Sequence, residues 1–305
     1  MPQTPEQIQS TLRKMQRVSR DLATAIDSDV ARLDKALQEL QRDLFELLVT
    51  EFLTGFATQD GALTTTAGNL ARVAAIDRLF DRFRRSGINS LIGSLAARMD
   101  EIAAAVSDYF RLGWAPSRVD RIAESNAAIH AVIGVKDGKL IPGGYLDRLA
   151  QSEELRSALK KYMTTSIANR VSLRSLTGGL SLLVKGSPDA DGMLQRYYRQ
   201  YAYDTFNQVR ELKARQFAES LGIRHFIYQG SVIETTRKFC RKRAGKVFTT
   251  KQAEGWKNDP DLIDKKTAST YNPLIERGRY NCRHWIDYIS DETAQYLLKR
   301  QKQVA

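Results

Sequence analysis

Three short stretches in the last third of the chain decide how it is read. They are Gly222-Ile223-Arg224-His225-Phe226-Ile227-Tyr228, Thr236-Arg237-Lys238-Phe239-Cys240 and Tyr280-Asn281-Cys282-Arg283-His284-Trp285. Between about Tyr197 and Ser290 lie both cysteines, two of the three histidines and two of the three tryptophans. Rare residue types gathered in under a third of a chain mark one specialised module. Residues 193–221 read as a long aromatic-rich helix that Gly222 ends. His225-Phe226-Ile227-Tyr228-Gln229 reads as a strand and Lys246-Val247-Phe248-Thr249 as a second. Thr250 is expected to cap a short helix through Trp256. Residues 257–273 form a polar loop, and Ser290 or Asp291 caps a last helix through Leu298.

Outward from this module, toward the N-terminus, the chain is mostly amphipathic helix. Over residues 6–50, Ala23, Ile26, Val30, Leu33, Leu37, Leu40, Leu44 and Leu47 step alternately by three and four. That 3.5-residue period is the seam of a coiled coil or of a long helical hairpin. The stripe packs either on this chain's own helices or on another copy or partner. A Gly- and Thr-rich loop is expected over 51–68. Helices follow over about 69–85 and 88–112, and over 118–133 with Ser117 as cap. Asp137-Gly138, between Val135-Lys136 and Lys139-Leu140, signals a hairpin. A further helix spans 146–163, and Gly178-Gly179 reads as a break before a short apolar segment, Leu180 to Val184. The expected fold is mainly α, a long helical N-terminal region (1–145) with a small α+β C-terminal module (146–305).

The chain has 305 residues, 42% hydrophobic and 27% charged, enough to bury a core and too apolar for global disorder. No run of 18 apolar residues occurs and the N-terminus lacks a basic region leading into an apolar stretch, so neither a membrane span nor a signal peptide is expected. Formal net charge is +12, which raises the prospect of a polyanionic partner. The densest basic cluster is Arg237, Lys238, Arg241, Lys242 and Arg243, a candidate nucleic-acid contact or simply a solvated face. Tyr197, Tyr198, Tyr201 and Tyr203, with Arg196, Arg199 and Arg210, offer either base stacking or a packed helix face. Two cysteines make no disulfide framework and suit a reducing compartment.

Cys240, Cys282 and His284 are the residues best able to carry chemistry. Cys282-x-His284 puts two potential ligands on one turn or strand; Cys240 would be a third and His225 a fourth, completing a tetrahedral zinc site. A close thiol pair or disulfide, and buried thiols beside Phe239 and Trp285, are the alternatives. His130, alone among Ala and Ile, reads as a packing residue. For a cysteine nucleophile, Asn281, Cys282 and His284 are too close in sequence to meet in the required geometry. No phosphate-binding loop, dinucleotide fingerprint or His-Glu-x-x-His occurs. The chain therefore reads as a non-enzyme, with no cofactor required and zinc as an option.

These residues, taken in order, resemble the head-morphogenesis family of tailed bacteriophages, the minor head or Mu F-like proteins. The resemblance runs through Asp204-Thr205-Phe206-Asn207, Gly222 to Tyr228, Thr236-Arg237-Lys238-Phe239-Cys240, Gly245 to Phe248 and Asn281-Cys282-Arg283-His284. It covers about residues 155–289, with Cys-x-His at the close where Cys-x-Cys also occurs in the family, and Glu234 the nearest acid to Thr-Arg. It implies a virion structural protein, minor head or portal-associated, found in the host cytoplasm during assembly. Its partners would be portal or other head and neck proteins, in a homo-oligomer or symmetric ring, with Ile26, Val30, Leu33, Leu37, Leu40, Leu44 and Leu47 as an interface. An internal DNA-binding or ejection protein is the alternative; a Cys/His- or metal-dependent enzyme is the third reading.

Overall fold

The computed structural model describes residues 4–124, 126–136, 139–263 and 270–304. Helix α1 (Pro5–Leu47) continues into a π turn, Leu48–Phe52. Its buried positions are Ile8, Leu12, Met15, Ser19, Leu22, Ile26, Asp29, Leu33, Leu37, Gln41, Leu44 and Leu48. They repeat at about 3.6 residues, the turn of a straight helix, not at the 3.5 of a supercoil. The expected seam is corrected accordingly. Ile26, Leu33, Leu37 and Leu44 are covered by the chain itself, and Val30, Leu40 and Leu47 sit half-buried on the flank. Of the two readings left open for the stripe, packing within the chain is the one observed.

Farther along, strands β1 (Thr58–Gln59) and β2 (Ala62–Leu63) form a hairpin inside the expected loop. The Thr66 hydroxyl caps α2 (Ala67–Val73), which a break separates from α3 (Ala75–Phe83); α4 (Asn89–Arg111) follows. The helix expected over 118–133 is two helices, α5 (Pro116–Ala123) and α6 (Ala127–Ile133). Ser117 is not a cap, because Pro116 already occupies the first turn, where its missing N–H costs nothing. Strands β3 (Val135–Lys136) and β4 (Lys139–Leu140) pair antiparallel; the Asp137-Gly138 turn lies outside the described residues. Helices α7 (Tyr145–Gln151) and α8 (Glu153–Ala168) replace one expected helix, parted by Ser152 at φ 54°. The Ser152 hydroxyl, bonded to Tyr198 and the Leu149 carbonyl, anchors that break.

Helix α9 (Leu173–Lys185), capped by Ser172, runs straight through Gly178-Gly179, which does not break it. Gly179 instead leaves room for the Tyr162 hydroxyl, which donates to the Leu176 carbonyl at 3.0 Å. After the hairpin of β5 (Gly186–Ser187) and β6 (Ala190–Asp191), α10 (Met193–Leu221) ends as expected at Gly222, φ 72°. The C-terminal module holds β7 (His225–Gln229), α11 (Lys238–Arg241), β8 (Val247–Thr249), α12 (Thr250–Glu254), α13 (Pro273–Glu276), β9 (Trp285–Ile289) and α14 (Asp291–Val304). Thr249, not Thr250, caps α12, in a capping box with Gln252. The architecture is thus mainly helical with a small α+β region, and among the described residues no helix is long and apolar enough to cross a membrane.

Contacts divide the chain into two compact units of discontinuous sequence. One comprises Asp29–Ala97 and His130–Ala202, so a boundary at 145 would cut through it. There the acids of α3 face the cations of α8: Arg156 meets Asp81 and Lys160 meets Asp77, each at 2.6 Å. The Gln41 amide donates to Gln195 at 2.9 Å, pairing two buried polar groups.

The other unit comprises Met1–Ser28, Arg98–Ile129 and Tyr203–Ala305 and holds the antiparallel sheet, order β8-β7-β9. Side chains alternate across it. Ile227, Val247 and Ile289 pack with Leu12 of α1 and Ala294 of α14. Phe226, Tyr228 and Phe248 carry their rings to Trp256, which Phe239 also meets. Phe110 of α4 stacks on Phe217 of α10 at 4.6 Å, and the Tyr109 hydroxyl donates to the Tyr288 carbonyl at 2.7 Å.

Beneath the sheet lies a buried charge network. Arg277 meets Glu211 at 3.2 Å; Arg210 approaches Asp287 at 3.8 Å, and Ser19 bonds both. Burial pushes the Glu211 carboxyl up to about 7, against the pull of Arg277 and Arg210. Burial likewise pushes Asp287 up to about 6, against Arg210 and the Ser19 hydroxyl. In the unfolded chain both return to the ordinary range near 4. From about pH 4 to 7 the folded chain therefore keeps protons that the unfolded chain has released, and these groups lower stability as pH rises through that window. Glu211→Gln combined with Asp287→Asn should flatten the pH dependence of urea unfolding between about pH 4 and 7. A slope equal to the parent's would place the titration on other groups.

Candidate functional site

The sheet brings together the residues that the sequence singles out. Tyr228 sits near the end of β7, Cys240 in α11, and Cys282 and His284 in the segment entering β9. The cysteine sulphurs are 3.9 Å apart, both thiols are free, and both residues are 2% exposed. A ring nitrogen of His284 completes a group of three donors lying within 4.8 Å of one another. The His284 ring stacks on Tyr228 at 5.3 Å, interplanar angle 19°, and its Nε2 has no hydrogen-bond partner among the described residues. The Tyr228 hydroxyl donates to Cys240 Sγ at 3.3 Å, and the Gly278 N–H donates to Cys282 Sγ at 3.3 Å.

The two thiols share their protons unequally. A hydrogen bond from Cys240 holds Cys282 well below the ordinary thiol value, against burial and with help from His284 and Arg277. The same bond, with burial, pushes Cys240 up. A pocket of about 270 Å³ opens onto the group, lined by Thr236, Arg237, Asn281 and Arg283 among others.

Backbone geometry makes this convergence possible. Residues 277–284 form a knuckle in which Arg277, Arg279 and Asn281 all have positive φ. The Asn281 N–H donates to Asp204 of α10 at 2.7 Å, and Arg237 donates to the Gly278 and Tyr280 carbonyls, each at 2.8 Å. Gly278 is sterically required: a Cβ there would lie 2.5 Å from Cys240 Sγ and 3.0 Å from Cys282 Sγ. Gly230, φ 131°, presses on the His284 ring in the same way. Neither glycine stands out in the sequence, and nothing in one chain's sequence distinguishes them from loop glycines. Tyr228 was legible only as a strand residue.

His225 does not belong to the group. It begins β7, whereas the cluster lies beyond Gln229, some 13 Å away at about 3.3 Å per residue. Its Nδ1 instead pairs with Asp291 at 2.7 Å, and that bond is the first cause of the lowered Asp291 carboxyl.

The basic run is also largely spent inside the molecule. Arg237 clamps the knuckle and stacks over Tyr280; Arg241 donates to the Ile233 and Glu234 carbonyls. Lys242 and Arg243 both hold Asp259, and Arg243, buried, lies over the rings of Phe239 and Trp256. Lys238 remains exposed. Arg241 and Lys242 are exposed as well, so the run is divided between bonds to the chain's own oxygens and the surface. In the tyrosine run, Tyr198 is buried with its hydroxyl on the Leu149 carbonyl, while Tyr201 is 39% exposed. Arg210 is buried, as the packed-face reading expects.

A further basic surface lies on α3 and the π turn that follows it, Arg84–Ile88. Arg78, Arg82 and Arg85 are exposed at helical spacing and, with Arg72, Phe52 and the acidic Glu51, line a pocket of about 460 Å³. Spacing of four and three was the available signal, masked by the interleaved Asp77 and Asp81 that face α8.

No family model matches the chain, and no curated protein or solved structure matches it either.

If the knuckle's sterics set the thiol geometry, Gly278→Ala should pull the cysteines apart. The substitution is expected to cost about 1–3 kcal/mol by overpacking and to speed the reaction of both thiols with an aromatic disulfide reagent. Parent-like stability and parent-like thiol reactivity together would remove Gly278 from the account.

Proposed function

We propose that the chain is a structural protein of a tailed-phage particle, a minor head or portal-associated component that acts through protein–protein contacts. One observation carries the reading. The short stretches on which the family resemblance rests, scattered over about 80 residues, are joined to one another by direct bonds. Asp204 accepts from the Asn281 N–H. Tyr228 reaches Cys240, the Gly245 N–H donates to the Tyr228 carbonyl at 2.8 Å, and Arg237 holds the chain beside Cys282. A coincidence of short motifs would have no reason to converge in this way; the parts of one inherited module would. The test is the mass of the purified chain in solution, alone and mixed with portal and head proteins from the same source. Co-elution as a defined complex is expected. A chain that stays monomeric and separate from each of them overturns the proposal.

A role in contacting packaged DNA is the second reading, and the arginine face of α3 is the observation that favours it. Asp77 and Asp81 are neutralised by α8, and Arg78, Arg82 and Arg85 face solvent, Arg82 exchanging its bond to the exposed Glu51 for a phosphate. Duplex binding through these three would give a log–log salt slope of roughly −2.7, about −0.9 per phosphate contact. Arg78→Ala with Arg85→Ala should reduce that slope by roughly two-thirds. Absence of duplex binding at low salt removes this reading and leaves the assembly proposal untouched.

A further inference from the structure

We propose that Cys240, Cys282 and His284 form a three-ligand site for zinc, with the fourth coordination position facing the solvent-open pocket beside Thr236 and Asn281. The proposal concerns the chemistry of the module and stands whether or not the chain is a phage assembly protein.

Geometry argues first. Two thiolates about 2.3 Å from a tetrahedral ion stand about 3.8 Å from each other. The observed sulphur separation is 3.9 Å, and the histidine nitrogen lies within 4.8 Å of both. The donor set argues next. Two thiolates and an imidazole suit zinc, whereas the hard cations prefer oxygen ligands.

The third argument is an unmet need. His284 is 4% exposed, yet its Nε2 finds no hydrogen-bond partner among the described residues. Buried polar atoms are nearly always partnered, and each exception calls for a cause. A metal centre supplies one when Nε2 is itself the ligand nitrogen.

The surroundings fit a thiolate centre. The Gly278 N–H and the Tyr228 hydroxyl point at the sulphurs, the kind of outer donors that hold metal-bound thiolates in place. Gly278 keeps the space between the sulphurs clear of any side chain. Among the described residues no fourth His, Cys, Asp or Glu joins the group. Three protein ligands with an open position is the arrangement in which zinc keeps a water or receives a ligand from outside.

Binding balances as follows. The hydrated ion loses water, each thiol that enters as thiolate releases its proton to solvent, and no electron is transferred. Uptake is therefore accompanied by release of up to two protons and weakens in acid.

The test uses the full chain purified under reducing conditions. Elemental analysis should find one zinc per chain. Removal by chelator and titration with cobalt(II) should give the near-ultraviolet thiolate-to-cobalt charge-transfer band and the visible bands of a tetrahedral ion. Cys240→Ser, Cys282→Ser and His284→Ala should each lower zinc affinity by more than about 100-fold, beyond the loss expected of outer-sphere changes, while His225→Ala keeps the parent's affinity. Where a variant fails to fold, the parent alone decides. A reduced, folded parent that takes up neither zinc nor cobalt overturns the proposal, and so does full binding by the His284→Ala variant.

Discussion

A guanidinium taken wholly out of water fixes much of the C-terminal module. Arg277 is 1% exposed, at the start of the knuckle and with φ at 51°. Leaving such a charge unpaired in a low-dielectric interior costs several kcal/mol, about 3–5 when one partner of a buried pair is removed. The Glu211 carboxyl of α10 accepts one bond from it, and the carbonyl of Asn207, one turn earlier, takes a second. The same carboxylate accepts the backbone N–H of Ile286 in β9. One side chain of α10 thus holds both the knuckle that carries Cys282 and the strand that begins just after His284. The neighbouring residue, Arg210, turns toward Asp287 and Ser19. Burying α10 correctly therefore sets the positions of two of the three donors.

The remaining donor is set from the other side. Arg237 precedes α11 and grips two carbonyls of the knuckle, which brings Cys240 to Cys282. Phe239, next to Cys240, is driven into the ring cluster around Trp256, and Arg243 covers both rings. Apolar burial supplies the pull and the arginine bonds supply the direction. The steric limit comes from Gly278, since any side chain there would occupy the space between the sulphurs.

What the sequence discloses follows from which of these forces are local. Helix α10 and strand β7 were legible from end to end, because periodicity and Gly222 act on neighbouring residues. The helical stripe of α1 was legible as a stripe, but its period was not: conservative apolar residues at 22 and 23, or at 47 and 48, allow either a 3.5 or a 3.6 reading until burial selects one. Gly178-Gly179 looked like a helix end, yet nothing in the pair reveals that Tyr162 needs the space. Cys282 and His284 were legible as a pair because two residues span a short distance in any conformation. His225 was misassigned because a strand's direction, and hence which of its ends meets β9's start, is a tertiary property. Three non-glycine residues with positive φ in the knuckle left no sequence signal at all.

The basic balance shows the same limit of local reading, and explains how so small a sheet is held. Three strands of three to five residues bury little area on their own and need a covering layer. Aromatic rings supply that layer on one face, α1 and α14 on the other. The segments between the strands have few apolar residues to spare. They are tied down instead by cations on carbonyls and carboxylates: Arg237, Arg241, Lys242 and Arg243 in α11 and its flanks, and Arg277 in the knuckle. Arginine suits this work because its planar fork makes several bonds at once while its stem and face cover rings. A cluster of positive charge in a sequence thus has two destinations, a polyanion outside or the chain's own oxygens inside. Here Arg237, Arg241, Lys242 and Arg243 take the second, each bonded to oxygens of its own chain.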